Sequence, residues 1–497
     1  MGSNVPDPLS QVEFFNVIGG TPRGAKESSS SHQVEDPRTE AALWDAPNAS
    51  AQDLDDAVEA GHQAFKTTQA KRAEVLNAVA KVLYDNDDLL TGVLMKETGK
   101  SRIMAHMEVQ RAAFHYELTC ETPTATVQLE DEIQYEDDDI QIIGTHEPYG
   151  VIGAISPWNF PLILSSVKVA SALATANCII IKPSPFTPYT ILKFCELAQS
   201  VLPAQGIFQA LNGGADVGER MTLHQGIAHI SFTGTIAVGQ RIMANCASTL
   251  KKVILELAGN DAAIVTDDVD VSAIMCVASK RLYVHAARYD DFVATFRAHL
   301  EKMYVATYGD AEAPSVFGPL SNRANFERCR GFLEDCRKHG YQVITAGGEV
   351  AKEKKGLWIA PTIIVNPPED SLVVREEQFG PVVPIMKWDD ESDVIARANL
   401  DNAGLGASIW CRDAGRARGL ARQLETGTVF INQPPQPHHA GYFAGQKLSG
   451  VGGELGKQGL LSYCQTKSLH IGEEVRGERG LWLPRMGLKY WTDRPPT

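Results

Sequence analysis

The apolar positions change their spacing several times along the chain, and each change marks an element. Residues 1–40 are polar, with a serine run at 28–31 and one short apolar strand over Phe14–Ile18. That pattern predicts a loosely held start. From Ala51 the period turns helical. Leu54, Ala57, Val58, Gly61 and Phe65 share one face, and Ser50 with Asp53 three residues on predicts a capped beginning. Further helices are expected over 73–86, 88–98 and 103–116. Residues 124–147 alternate instead, as in Thr126-Val127-Gln128-Leu129 and Ile140-Gln141-Ile142-Ile143. This predicts a hairpin whose tip is the acidic run Glu130–Asp139.

From Tyr149 onward strands and helices alternate in tight order. Strands are expected at 151–156, 178–182, 207–211, 227–232 and 252–257, with helices at 162–174, 187–202, 215–223 and 236–246 between them. Strands that are almost continuously apolar and separated by helices predict a parallel sheet covered on both faces. Such sheets bind ligands beyond the carboxyl ends of their strands. A second α/β pattern follows, with helices at 288–304, 391–399 and 414–424 and strands at 362–365, 382–387, 406–410 and 428–432. Ser449-Gly450-Val451-Gly452-Gly453-Glu454 reads as a flexible loop, residues 463–471 as an edge strand, and 473–497 as a charged tail.

Composition narrows the function. The 497 residues allow two or three domains, and the chain is 44% hydrophobic and 22% charged, ordinary for a globular protein. A formal net charge of −15 argues against nucleic acid and anionic membrane as partners. Nine cysteines without a CxxC pair predict reduced thiols in a cytoplasmic setting, with no disulfide scaffold and no metal site. The start lacks a basic segment followed by an apolar core, so no signal peptide is expected.

The informative chemistry sits where strands end. Glu256 closes an apolar run, where burial can raise a carboxyl pKa and make it a base. A glutamate at a strand end is more often a solvated or paired carboxylate. Cys276 precedes Ser279-Lys280-Arg281 and could be a nucleophile if its thiolate is stabilised, or an inert buried thiol. Pro157 and Pro161 frame a turn that aims Asn159, as an oxyanion donor or as a helix cap. Lys182 could meet ribose or phosphate, or simply lie on the surface. Gly234 and Thr235 open a helix, with Gly239 one turn in, which suits a phosphate. Gly213, Gly214 and Gly218 form a second glycine cluster, and no strict GxGxxG is present.

Taken in order, Pro157-Trp158-Asn159-Phe160-Pro161, Lys182-Pro183-Ser184, Phe232-Thr233-Gly234-Thr235, Leu255-Glu256-Leu257, Glu377-Gln378-Phe379-Gly380-Pro381 and Ser449-Gly450 resemble the aldehyde dehydrogenase superfamily over about residues 14–472. The resemblance implies an α/β fold with two parallel-sheet α/β domains plus a β-hairpin oligomerisation arm. On that basis residues 1–123 are the helical part of the NAD(P)-binding domain, 124–147 the arm, 148–257 the NAD(P)-binding α/β domain and 258–436 the catalytic domain. Residues 437–472 return to the cofactor domain, and 473–497 form a tail. The implied catalytic residues are Glu256 as general base, Cys276 as nucleophile and Asn159 as oxyanion donor. The implied cofactor-binding residues are Ile155, Ser156, Trp158, Lys182, Ser184, Gly214, Gly218, Gly234, Thr235, Leu257, Glu377 and Phe379. The implied reaction takes an aldehyde to a carboxylic acid through a cysteine thiohemiacetal and thioester. The implied cofactor is NAD, with NADP left open because Pro185 stands where many NAD-preferring members carry a glutamate. A homodimer or homotetramer is the implied assembly.

The chain departs from the family at one place above all. Glu256 and Cys276 are 20 residues apart (276 − 256), shorter than the family's link by on the order of a dozen residues, or three helical turns. Two smaller departures are Ala258 in place of a glycine and Gly441-Tyr442-Phe443-Ala444-Gly445 in place of Pro-Phe-Gly-Gly. The shortened link opens a second reading: an impaired member or mis-spliced product that keeps the fold and nucleotide binding.

Overall fold

The computed structural model describes residues 9, 11–24, 30–67, 72–121, 131–137, 140–270, 279–305, 317–347, 355–400 and 402–472. The chain divides into two compact units, one of residues 1–129 with 147–465 and one of residues 130–146 with 466–497.

The first unit holds two large sheets. In space the first runs Thr21–Arg23, Asn16–Ile18, Phe208–Ala210, Cys178–Lys182, Val151–Ile155, His229–Thr233, Lys252–Glu256, Gly450–Val451. The five strands from Phe208–Ala210 to Lys252–Glu256 are mutually parallel. Their residues are apolar and buried on both faces, as in Cys-Ile-Ile-Ile-Lys at 178–182, because helices cover each side. The chain enters at the centre on Val151–Ile155, moves outward to Phe208–Ala210, then jumps back to His229–Thr233 on the other side. That reversal opens a crevice beyond Ile155 and Thr233.

The second sheet runs Gln342–Thr345, Thr362–Val365, Val382–Trp388, Arg281–His285, Ala262–Val265, Gly406–Trp410, Thr428–Ile431, with only the first strand antiparallel. The strand Gln342–Thr345 and the helix Arg323–Lys338 before it have no counterpart in the sequence reading. The helix is polar on most of its surface. Its buried face uses Asn325, Cys329, Phe332, Leu333 and Cys336, so two cysteines stand in for larger apolar residues and blur the period. Ala262–Val265 and Arg281–His285 are parallel neighbours in register Ala262↔Arg281 to Val265↔Val284. Residues 266–280 therefore make the crossover, 15 residues (280 − 266 + 1) where a parallel pair needs a dozen or so. The shortened link remains long enough to join this pair. Cys276 lies in it, outside the described residues.

Four sequence expectations need correction or refinement. The polar start is more ordered than its composition suggests. Ser31–Glu35 and Ala42–Pro47 form an antiparallel hairpin, because distant partners hold it: Tyr189 Oη bonds the Val34 N–H at 3.0 Å and the Trp44 carbonyl. The predicted cap of the helix Ala51–Thr67 is present and reciprocal, with Asp53 N–H to Ser50 Oγ at 3.1 Å and Ser50 N–H to Asp53 Oδ2 at 2.9 Å. In the second unit the acidic run is not a tip. Glu132–Glu136 is a strand, exposed throughout and paired antiparallel with Ile140–Pro148, since the partner's ladder sets its conformation where its own side chains carry no pattern. The expected strand over 126–129 and the tail 473–497 lie outside the described residues. Cys464–Gly472 is the opposite edge of this three-stranded sheet. Lastly, the segment 449–454 is not a loose loop. Gly450–Val451 pairs with Leu255–Glu256, and Gly453–Glu454 with Phe443–Ala444. Gly450 permits the close approach, for a Cβ there would lie 2.1 Å from the Leu255 carbonyl oxygen.

Candidate active site

Glu256 is the last residue of its strand, at the carboxyl edge of the first sheet. Thr233 Oγ1 donates to its Oε2 at 3.0 Å, and the Gly234 N–H donates to its backbone carbonyl at 3.0 Å. Burial raises the Glu256 pKa, the negative Glu454 raises it further, and Lys168 and Thr233 oppose the rise. Lys168 and Glu454 form a buried ion pair at 2.7 Å, and Ser231 Oγ and Tyr463 Oη donate to the same carboxylate oxygen at 2.9 and 3.2 Å. The sequence reading missed this group. Its signal was Lys168, the one charge in the largely buried helix Pro161–Ala174.

Asn159 lies in the turn before that helix. It does not cap the helix: the N-cap is Phe160, which makes no side-chain capping bond. Asn159 Oδ1 is buried, with no hydrogen-bond partner among the described residues. The orphaned Oδ1 is an acceptor, open to a ligand N–H or O–H, and the same amide carries the Nδ2–H donors that a ligand oxygen would meet.

From Ser279 the described chain is tied to the second sheet. The Lys280 and Arg281 N–H groups donate to the Asp261 carbonyl at 2.9 and 3.1 Å. Lys280 Nζ lies 3.9 Å from Glu377 Oε1 and 4.8 Å from the Phe379 ring centre. The Phe379 ring meets Trp158 edge-on with centroids 5.1 Å apart. Residues from the ends of both sheets thus gather at one place. Burial raises the Glu377 pKa to about 7, with Lys280 opposing. Phe379 has φ +49°, a left-handed conformation that a phenylalanine keeps only when its surroundings hold it there.

The remaining predicted residues line the same carboxyl edge. Lys182 is 3% exposed, so it is not a surface lysine. Burial lowers its pKa to about 8, and its Nζ donates to the Pro183 carbonyl at 3.0 Å. A Cβ added at Gly218 would sit 3.7 Å from both Ile155 and Lys182, so these three share one wall. Gly214 is the N-cap of Ala215–Leu223 and Thr235 that of Ile236–Ala247. Ser156 N–H donates to the Lys182 carbonyl at 3.0 Å, and Ser184 Oγ accepts the Phe186 N–H at 3.3 Å. The close approach at Gly239 serves packing, since a Cβ there would meet Leu257 at 2.5 Å. Leu257 is buried, and its N–H donates to the Ser449 carbonyl at 2.9 Å. Ala258 has no positive φ, so the family's glycine is not needed for backbone freedom here. Among the described residues no cluster of three or more His, Cys, Asp or Glu could hold a metal, and no helix is long and apolar enough to cross a membrane.

Residues 25–469 match the family model described as the aldehyde dehydrogenase family. The chain belongs to the aldehyde dehydrogenase family. It is similar to the aldehyde dehydrogenase LUC3 of a Fusarium species, 39% identical over 92% of this chain and 98% of that protein. It is also similar to the glutarate-semialdehyde dehydrogenase of Pseudomonas aeruginosa, 32% identical over 88% and 94% of the two chains. Among solved structures, 3,6-anhydro-L-galactose dehydrogenase in complex with NAP superposes with a TM-score of 0.86 at 31% identity, covering 92% of this chain and 99% of that one. The NAD+ complex of aldehyde dehydrogenase from Bacillus cereus gives 0.87 at 28% identity, covering 94% and 98%. The α/β fold and the reaction expected from the sequence both stand: the chain is an oxidoreductase that oxidises an aldehyde to a carboxylic acid with NAD(P).

Proposed function

We propose that Glu256, Asn159 and Cys276 divide this reaction among them. The observation that carries the assignment is Glu256, a half-buried carboxyl at the mouth of the crevice, with raised pKa and a threonine steadying one oxygen. Cys276 re-enters the described residues three positions on, at Ser279, a leash of about 10 Å at full extension. Its thiolate forms the C–S bond with the aldehyde carbon, and the oxygen that gains charge is held by the Asn159 amide. NAD(P), held by the carboxyl-edge residues named below, would supply the acceptor for the hydride on that carbon. Glu256 then takes a proton from water as it attacks the thioester. The C–S bond breaks, the thiolate is restored and a carboxylate leaves.

The cofactor would be held by the residues at the carboxyl edge. Lys182 is buried with one donor spent on Pro183, which leaves N–H groups for a ribose or phosphate oxygen. Gly214, Gly218, Gly234 and Thr235 bring the starts of two helices to the phosphates. Trp158, Leu257, Glu377 and Phe379 line the nicotinamide end, and Ile155, Ser156 and Ser184 the wall beneath. Pro185 offers no carboxylate to repel a 2′-phosphate, so NADP is expected to be used as well as NAD. The second unit serves as the arm through which copies associate into a homodimer or homotetramer, supported by the exposed Ile133, Tyr135, Leu469 and Ile471. A cytoplasmic location is supported by the eight described cysteines, which form no disulfide among themselves. A rapid-mix assay tests the assignment. Glu256→Gln should keep one fast equivalent of NADH and lose later turnovers. Full steady turnover in that variant would remove Glu256 from the mechanism.

A further inference from the structure

Asn159 is held from outside its own turn by two charged side chains on a neighbouring segment. Lys100 follows the left-handed C-cap Gly99, and Glu108 lies in the helix Arg102–Glu121. Lys100 Nζ donates to the Asn159 backbone carbonyl at 2.7 Å, lies 4.0 Å from the Phe160 ring centre and pairs with Glu108 Oε2. The other carboxylate oxygen, Oε1, accepts the N–H of Leu162 at 2.9 Å and of Ile163 at 3.4 Å. With Pro161, which has no N–H, as the first helical residue, these are the first two N–H groups of the helix. A capping side chain normally satisfies those donors, and Phe160 cannot. The Glu108 side chain is fully buried and that of Lys100 is 14% exposed.

We propose that Lys100 and Glu108 are positioning residues for the oxyanion donor, a clamp that fixes the Asn159 carbonyl on one side and the helix start at Leu162 and Ile163 on the other. The proposal rests on the reading of Asn159 given above. The amide must meet an oxygen only at the moment charge develops, so it has no ground-state bond to hold it. Its placement comes from its backbone. Pro157 and Pro161 restrict φ at two points, and the residues between them are pinned by the Lys100 ammonium. A displacement of about 1 Å in such a group costs about 100-fold in rate. The buried ion pair therefore has a task that an apolar pair of equal volume could not perform.

A double-mutant cycle tests this. Lys100→Met alone would strand Glu108 as a buried charge, so the informative variant is Lys100→Met/Glu108→Gln. It is neutral and keeps an amide oxygen for the Leu162 and Ile163 N–H groups. It is expected to lower kcat about 30- to 100-fold, with nucleotide affinity unchanged. In the background of Asn159→Ala the same pair of changes should cost less than about 3-fold, because the group it positions is gone. Lys100→Arg, which can still reach the carbonyl, should recover most of kcat. Equal losses in both backgrounds would overturn the clamp and leave the Asn159 reading intact. An unchanged kcat in Asn159→Ala alone would overturn both.

Discussion

Glu256 and Glu377 sit at the ends of different sheets, and both carboxyls are pushed up by burial. They differ in what faces them. Glu377 has a cation, Lys280, at 3.9 Å, and Arg328 adds to that pull. Glu256 faces another carboxylate, Glu454, whose own cation Lys168 is already engaged. Each has both signs nearby, in opposite order: at Glu377 the pull of Lys280 outweighs the push of Asp261, and at Glu256 the push of Glu454 outweighs the pull of Lys168. A carboxyl whose neighbours resist its charge is suited to taking up a proton, whereas one beside a lysine is suited to accepting hydrogen bonds from a ligand. The comparison teaches that burial alone does not distinguish two carboxyls; the order in which the neighbouring charges act on them does.

Several changes would break or sharpen this contrast. The largest effect is expected from Glu256→Gln, which should lower steady turnover roughly 10²–10⁴-fold with nucleotide affinity intact. Fluorescence titration with NADH checks the second half of that statement. Next, Lys168→Met leaves Glu454 buried without its partner and should cost about 3–5 kcal/mol of stability, read from urea unfolding. A loss under 1 kcal/mol would mean that water reaches the pair. Glu377→Gln should raise the nucleotide KM about tenfold, the scale of one lost hydrogen bond to a charged group, with little change in the thioester step. The same variant should flatten the pH dependence of stability. Glu377 keeps its proton up to about pH 7 when folded and only to about 4.3 when unfolded, so the folded state binds more protons across that interval. Its contribution to stability therefore falls as pH climbs from about 4.3 to about 7. The smallest effect belongs to Thr233→Val. Removing that donor disfavours ionised Glu256, so the rising limb of kcat against pH should move to higher pH by about one unit. A move to lower pH would show that Thr233 does not steady the anion.

How much of this could be read from residues alone follows from what each signal depends on. The parallel strands of the first sheet were legible because burial on both faces leaves an unbroken apolar run, as at Cys178–Lys182. Asn159, Lys182 and Glu256 were legible because proline, charge and strand end coincide there. The hairpin Ser31–Pro47 was not, since its order comes from Tyr189, far along the chain. Nor was Glu132–Glu136, whose five exposed residues carry no alternation. Glu454 lay within a glycine-rich stretch, and its pairing with Lys168 spans 286 residues, a distance no local pattern reports. The clamp from Lys100 and Glu108 was hidden for the same reason.

Gly450 fits against the strand of Glu256 only because it lacks a side chain, and that fit has a bearing on how the molecule assembles. A ribosome releases Lys252–Glu256 nearly two hundred residues before its outer neighbour exists. Until the segment from Phe443 to Glu454 has emerged, the strand has one bare flank, Glu454 is not there to act on the acid, and Ser449 is not there to bind the Ala258 carbonyl just beyond it. Pairings so distant in sequence form late. The surroundings of Glu256 should therefore be completed at the end of synthesis, after most of the sheet has formed, and a nascent chain halted before Phe443 would lack the outer neighbour of that strand.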